Sequence, residues 1–464
     1  MNYSIILYIL GCVLKFESAF LLFPAIVGFL YRETEAFPYV FTAAICFITG
    51  YFLSRKKPAS KNLFIKEGFV TVAASWVIMS IFGAIPFVLT GDIPNYVDAL
   101  FETISGFTTT GSSILSDVEA LSKTSLFWRS FTHWVGGMGV LVFIMAILPL
   151  MGGSTMNLMK AESTGPAISK LVPHVKDTAK ILYGMYIALT FCEIFMLRIF
   201  HMPFYDALVT TFGTVGTGGF GIYNSSLGGY SPEIQVIVTV FLVLSGINYT
   251  AYFYILSYKF KEAFRIEEVR WYFMIFFSAV AIITFNIRGL YGTFAESLRH
   301  AAFQVASIIT TAGFATTDFD LWPELSKCIL VIIMIIGSCS GSTAGGMKIS
   351  RVVMLVKTVK KELSLIIHPR EVRKIRMDGH VVEHRTLRNT NVFFVVYFII
   401  MLISTLLIAI IMRFTKFLNN FREAMLCGKT SAVNSTNPNT LTCASACSNN
   451  TLPKSSPLNS APRP

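Results

Sequence analysis

Apolar residues gather in long runs along this chain. Runs lie near 5–30, 37–54, 68–90, 127–150, 179–200, 233–257, 271–288 and 391–413, with an interrupted run over 327–367. A helix needs about 20 apolar residues to cross a bilayer, so these runs predict spanning helices and an all-α multi-pass membrane protein. Shorter semi-polar segments fall between some of them, at 95–117, 204–225 and 296–319. They are too short and too rich in Thr and Gly to span. The first run is read as a spanning helix and not a cleavable signal. No basic region precedes it, and Lys15 and Glu17 interrupt it midway.

Composition agrees with this pattern. The chain has 464 residues, 54% hydrophobic and 14% charged, with mean hydropathy +0.62. A soluble protein would carry about 25% charged residues. The net charge of +12 is concentrated in the gaps between runs. Arg55, Lys56, Lys57, Lys61 and Lys66 follow the second run, and Lys160, Lys170, Lys176 and Lys180 the fourth. Lys259, Lys261, Arg265 and Arg270 follow the sixth, and 357–388 is the most basic stretch. These gaps are expected on the cytoplasmic side, and the N-terminus with them. That distribution argues for topology and against nucleic-acid binding. The semi-polar segments then face outward. They and their immediate flanks carry Asp92, Asp98, Asp117, Asp206, Asp318 and Asp320, an acidic mouth that concentrates cations. Cys12, Cys46, Cys192, Cys328 and Cys339 lie in or beside apolar runs and read as packing residues.

The stretch GTVGTGGFG, from Gly213, contains the G-x-G-x-x-G of a dinucleotide fold. No strand–turn–helix surrounds it, so the match is empty. A repeat explains the glycines better. DALFETISGFTTTGSS starts at Asp98, DALVTTFGTVGTGGFG at Asp206 and HAAFQVASIITTAGFAT at His300. The same interval leads from these starts to Gly111, Gly219 and Gly313, and a threonine stands two residues before each: Thr109, Thr217 and Thr311. The unit is span, short helix, Thr-x-Gly, span, and internal repeats outrank a local motif. Irregular backbone at membrane depth survives only when buried or lining a water-filled path. Carbonyl oxygens can replace the hydration shell of a monovalent cation. Glycine tolerates the backbone angles this demands, the threonine hydroxyl offers a further oxygen, and the short helix points its negative end at the ion. The candidate ion ligands are Thr109, Thr110, Gly111, Thr217, Gly218, Gly219, Thr311, Ala312 and Gly313.

These three segments, with HWVGGMGVLVFIMAILP after the first and GSCSGSTAGGMK in the third unit, resemble the Trk/Ktr/HKT superfamily of potassium transporters. The resemblance covers residues 1 to about 426 and is closest to its TrkH-like members. It implies a K+-channel-like fold with four M1–P–M2 repeats around one pore, preceded by two extra helices. It also implies potassium bound in the filter as cargo, a homodimer in the inner membrane, and a cytoplasmic nucleotide-binding regulatory subunit of the TrkA type. On that pattern 1–60 holds the extra helices, 61–160 repeat 1, 161–262 repeat 2 and 263–370 repeat 3. Residues 371–427 hold a cytoplasmic loop and the first part of repeat 4, and 428–464 is a polar tail.

The loop GSCSGSTAGGMK resembles a P-loop but places Met347 where lysine is required. Apolar helix flanks it on both sides, so it lies at membrane depth and needs a pore to line. The resemblance makes Gly337, Ser340, Gly341, Ser342, Gly345 and Gly346 an intramembrane gate. Lys15 and Glu17 are expected to be structural, and Arg129 and His133 to be interfacial anchors. His380 and His384 sit in a solvated loop that is a candidate docking surface for the cytoplasmic partner. No nucleophile–base pair or paired carboxylates suggest an enzyme. The fourth repeat departs from the pattern. No filter glycine stands near Thr436, and no apolar run follows. This leaves two alternatives beside potassium uptake: a sodium or mixed-cation transporter of the same fold, or a membrane scaffold or sensor without transport.

Overall fold

The computed structural model describes residues 2–56, 58, 64–139, 175–370 and 374–433. Two compact units are distinguished, Met1–Asn391 and Val392–Pro464.

The first unit opens with α1 (Tyr3–Tyr31) and α2 (Ala36–Ser54). They pack backbone to backbone where Gly11 meets Gly50. A Cβ on either glycine would lie 2.7 Å from the other's carbonyl oxygen. Small residues at such crossings are how helices associate tightly in a bilayer.

Three units follow, each with a short helix between two flanking helical segments. The first is α3 (Ile65–Thr90), α4 (Tyr96–Phe107) and α5 (Lys123–Met138). The second is α6 (Val175–Ile199), α7 (Phe204–Val215) and the pair α8 (Pro232–Ser245) and α9 (Tyr249–Leu256). After the short α10 (Phe260–Arg265) comes the third: α11 (Glu267–Ile287), α12 (Phe294–Ile309), then α13 (Glu324–Ile336) and α14 (Ile349–Ile367). The middle helices have 12, 12 and 16 residues. At about 1.5 Å per residue they cannot cross a hydrocarbon core of about 30 Å. Their outer ends are set by local chemistry. Asn95 accepts the Val97 N–H, Thr293 accepts the Glu296 N–H, and Pro203 precedes α7. Asp98, Asp206 and Glu296 sit in the first turns, where the helix dipole favours an acid.

Aromatic side chains fill the interior. Trp128 is buried and donates from Nε1 to the Gly83 carbonyl at 3.0 Å, with Phe107 edge-on to it. Tyr272, Phe303 and Phe314 are buried in the third unit. Large apolar residues such as Phe47, Phe191, Phe277 and Ile332 face outward, as lipid-facing helices require. Among the described residues six helices are long and apolar enough to cross a membrane, or seven with the pair α8–α9.

That pair departs from the expected continuous span 233–257. The two helices meet at 94°. The break falls at Ser245-Gly246-Ile247-Asn248, where Asn248 starts a new helix by accepting the Thr250 N–H at 2.8 Å. Beyond α14, a small hairpin pairs β1 (Arg376–Met377) with β2 (His380–Val381). Its turn residues Asp378 and Gly379 are both left-handed. The last helix, α15 (His384–Val433), continues past 428, where the polar tail was expected. Within His384–Arg413 an 18-residue window has mean hydropathy 3.0. Lys57, Lys61, Lys160, Lys170, the continuation of HWVGGMG beyond Gly139, and 434–464 lie outside the described residues.

Candidate ion filter and gate

The three Thr-x-Gly segments have one local structure. Each short helix ends in the same hydrogen-bonded turn. Thr109, Thr217 and Thr311 donate to Gly106, Thr214 and Ile308, each at 3.0 Å. The next residues, Thr110, Gly218 and Ala312, donate to Ser105, Gly213 and Ser307, each at 2.9 Å. In all three the threonine is left-handed, with φ of 52°, 53° and 57°, and so is the glycine, with φ of 76°, 85° and 89°. Left-handed geometry is costly for a β-branched residue, and such strain clusters at functional sites. Two of the threonine hydroxyls donate to the preceding residue. Thr217 Oγ1 donates to the Gly216 carbonyl at 2.7 Å and Thr311 Oγ1 to the Thr310 carbonyl at 2.6 Å.

The fold brings the three segments together. A Cβ on Gly111 would overlap the Gly218 carbonyl oxygen and lie 3.3 Å from that of Ala312. A Cβ on Gly219 would overlap the Ala312 carbonyl. Backbone thus meets backbone between the units, and no side chain fits. Among the described residues nothing lies within 4 Å of a Cβ placed on Gly313.

Helix α5 stands behind two of these segments. Gly136 packs on the Phe107 carbonyl at the end of α4, and a Cβ on Gly137 would lie 2.7 Å from the Gly216 Cα at the end of α7. The Gly-Gly of HWVGGMG therefore lets one helix touch both filter helices. Arg129 and His133 are on the same helix. They are 3% and 0% exposed, so neither is the interfacial anchor expected from their place at a helix start. His133 Nδ1 accepts the Phe220 N–H at 3.3 Å, and its ring stacks on Phe220 at 4.0 Å. Arg129 is ion-paired with Glu102 and donates to the Gly221 carbonyl at 2.9 Å. Glu17 is likewise fully buried and does not snorkel.

The interrupted span closes on itself. A Cβ on Gly337 would lie 2.8 Å from the Gly346 Cα, and one on Gly346 would lie 2.6 Å from the Gly337 Cα. Both glycines are left-handed, with φ of 71° and 80°. Met347 N–H donates to Ile335 and Ile349 N–H to Ser338, each at 3.1 Å, completing the neck. The loop touches the third filter segment directly. Gly345 N–H donates to Thr311 Oγ1 at 2.8 Å, and Ser338 Oγ to the Ile309 carbonyl at 2.9 Å. Gly341 is left-handed. Ser340 Oγ bonds Ser350 Oγ, and Ser342 Oγ donates to the Cys339 carbonyl at 2.6 Å.

The loop also supplies the groups that the α8–α9 break exposes. Cys339 N–H donates to the Gly246 carbonyl, and Tyr249 N–H to that of Gly341, each at 3.2 Å. Glu268 joins the two breaks. Its Oε1 accepts the Ser340 N–H at 2.6 Å and the Ser350 N–H at 3.1 Å, and its Oε2 accepts Asn248 Nδ2 at 3.2 Å. Sequence reasoning missed Glu102 and Glu268. The available signal was a carboxylate inside or beside an apolar run, which is costly without a partner. Among the described residues no group of three or more His, Cys, Asp or Glu side chains could hold a metal ion.

The family model for the TrkH cation transport protein matches residues 35–418. The chain belongs to the TrkH family. It is a multi-pass membrane transporter and not an enzyme. Among TrkH proteins, the Trk system potassium uptake protein TrkH of Salmonella typhimurium is 34% identical over 88% of this chain and 86% of its own length. TrkG of Escherichia coli, another Trk system potassium uptake protein, is 30% identical over 85% and 82%. The crystal structure of the potassium transporter TrkH from Vibrio parahaemolyticus superposes with a TM-score of 0.78, at 30% identity, over 87% of this chain and 85% of that one.

Proposed function

We propose that this TrkH-family chain admits potassium across the cell inner membrane through a filter of backbone carbonyls gated by the 337–348 loop. One observation carries the reading. Three segments from three sequence repeats adopt the same strained left-handed Thr and Gly and converge backbone to backbone. Carbonyls held this way can replace water around a dehydrated cation. The units then act as M1–P–M2 quarters about one pore, with α1 and α2 as additional helices. The ligands are Thr109, Thr110, Gly111, Thr217, Gly218, Gly219, Thr311, Ala312 and Gly313. Gly337, Ser340, Gly341, Ser342, Gly345 and Gly346 form the gate. The N-terminus is cytoplasmic. The family resemblance supports a homodimer and a nucleotide-binding cytoplasmic subunit, for which the basic 367–388 loop is the docking surface.

The test is rubidium and sodium uptake into proteoliposomes. The protein is a chimera in which residues after Arg413 are replaced by the corresponding end of the Vibrio parahaemolyticus TrkH. The expected result is rubidium preference, reduced by Gly219→Ser. Equal uptake of both ions would favour the mixed-cation reading. A chimera that passes neither ion would favour a transport-inactive scaffold, the reading that the atypical fourth repeat suggests.

A further inference from the structure

Glu102 and Arg129 form a buried ion pair, 1% and 3% exposed. Each carries a second load. Glu102 accepts Ser113 Oγ at 3.0 and 3.2 Å and the Ile114 N–H at 3.1 Å, on the strand leaving the first Thr-x-Gly. Arg129 holds the Gly221 carbonyl on the strand leaving the second. Its guanidinium lies 3.7 Å from the centre of the Phe220 ring, the ring that His133 also stacks on. The strands after two different filter segments therefore hang on one ion pair. Arginine suits this role, since its planar fork serves a carboxylate and a carbonyl at once.

The repeat shows that this is no general feature of the short helix. In register with Glu102 stand Thr210 in the second unit and Gln304 in the third. Thr210 carries no charge. Gln304 is buried, and its amide has no hydrogen-bond partner among the described residues. The ionic version occurs in the first unit, where the first two segments meet.

We propose that the Glu102–Arg129 pair is a cross-brace that positions the first and second filter segments relative to one another and so helps set ion preference. The second half of this statement rests on the filter reading above; the first half does not. Glu102 and Arg129 are positioning residues, since neither is placed among the ion ligands.

Hydrogen exchange of the full chain in nanodiscs tests the brace without requiring conduction. Glu102→Gln should speed exchange in 109–116 and 217–224 by about tenfold, the factor for losing one charge-assisted hydrogen bond, and leave 311–317 unchanged. Arg129→Lys keeps a charge for Glu102, but one ammonium cannot replace the fork. Its effect should be confined to 217–224. Should the single variants fail to fold, Glu102→Met with Arg129→Met removes both charges and leaves none orphaned. That double variant should fold and loosen both strands. Unchanged exchange, an equal rise in all three segments, or loosening of one strand in the double variant would overturn the brace. In the chimera, the double variant should lower rubidium over sodium preference severalfold. If exchange responds and preference does not, the role in ion preference is wrong. If Gly219→Ser also leaves preference unchanged, the filter reading has failed and the brace stands as architecture.

Discussion

At the scale of single residues, the glycines of the three segments are equivalent in sequence but not in space. All three are left-handed. A side chain on Gly219 would run into the Ala312 carbonyl, whereas a Cβ at Gly313 meets nothing within 4 Å among the described residues. Gly313→Ala therefore carries chiefly the left-handed penalty, about 1–2 kcal/mol. Gly219→Ala carries that penalty and must also push the neighbouring segment away. We expect Gly219→Ala to lower the melting temperature of the purified protein clearly more than Gly313→Ala does. Equal shifts would show that the segments do not meet as described. Glu268 gives a second residue-scale prediction. It accepts two backbone N–H groups of the loop region and one side-chain amide, and a buried donor left unsatisfied costs about 1–3 kcal/mol. Glu268→Ala should destabilise the protein by several kcal/mol in thermal unfolding. Glu268→Gln, which keeps one carbonyl oxygen for the two N–H groups, should cost less than half as much. An equal loss for both would assign the effect to charge and not to the hydrogen bonds.

Among the elements, the broken helices carry the interest. The 337–348 loop is long, but its ends already touch at Gly337 and Gly346. Consecutive Cα atoms need a separation of about 3.8 Å. Deleting Ser338–Gly345 therefore joins residues that are already neighbours and should leave α13 and α14 in place. It also removes the Gly345 contact to Thr311 and the groups that cover the α8–α9 break. We expect the deletion, made in the chimera, to raise rubidium flux while leaving the rubidium-to-sodium ratio unchanged. Wild-type flux in a well-expressed deletion would make the loop a passive kink.

For the whole molecule, the decisive feature is the number of converging filter segments. Three segments of the described chain converge, and a Cβ on Gly313 in the third meets nothing within 4 Å among the described residues. An ion held from three sides keeps part of its hydration, and polar backbone facing lipid costs several kcal/mol per unsatisfied group. We expect this chain, expressed by itself in an uptake-deficient strain, to fail to restore growth at low external potassium, while the chimera restores it. Full rescue by the chain alone would show that the three segments suffice.

Much of this was legible before any coordinates. Runs of apolar residues determine spanning helices because a bilayer leaves the backbone no other way to satisfy its polar groups. The Thr-x-Gly repeat was visible because each copy solves the same local problem, a helix end that turns back with left-handed residues. The Gly/Ser loop was visible because small polar residues are out of place in an apolar run. The 376–381 hairpin was legible too, since Asp378-Gly379 is the residue pair such a turn requires, although the stretch was expected to be a solvated loop. Other features depend on distance in space between residues far apart in the chain. Arg129 has the sequence signature of an interfacial anchor. It becomes a buried partner because Glu102 arrives from α4 and Gly221 from the second unit. The α8–α9 break has only Gly246 and Asn248 to announce it. It is tolerated because backbone groups of the distant loop and the Glu268 carboxylate cover it. Local chemistry determined where the helices start and stop, because capping and burial act within a few residues. Only tertiary structure decided which polar groups inside the membrane satisfy one another, because that depends on three-dimensional neighbours that periodicity does not encode.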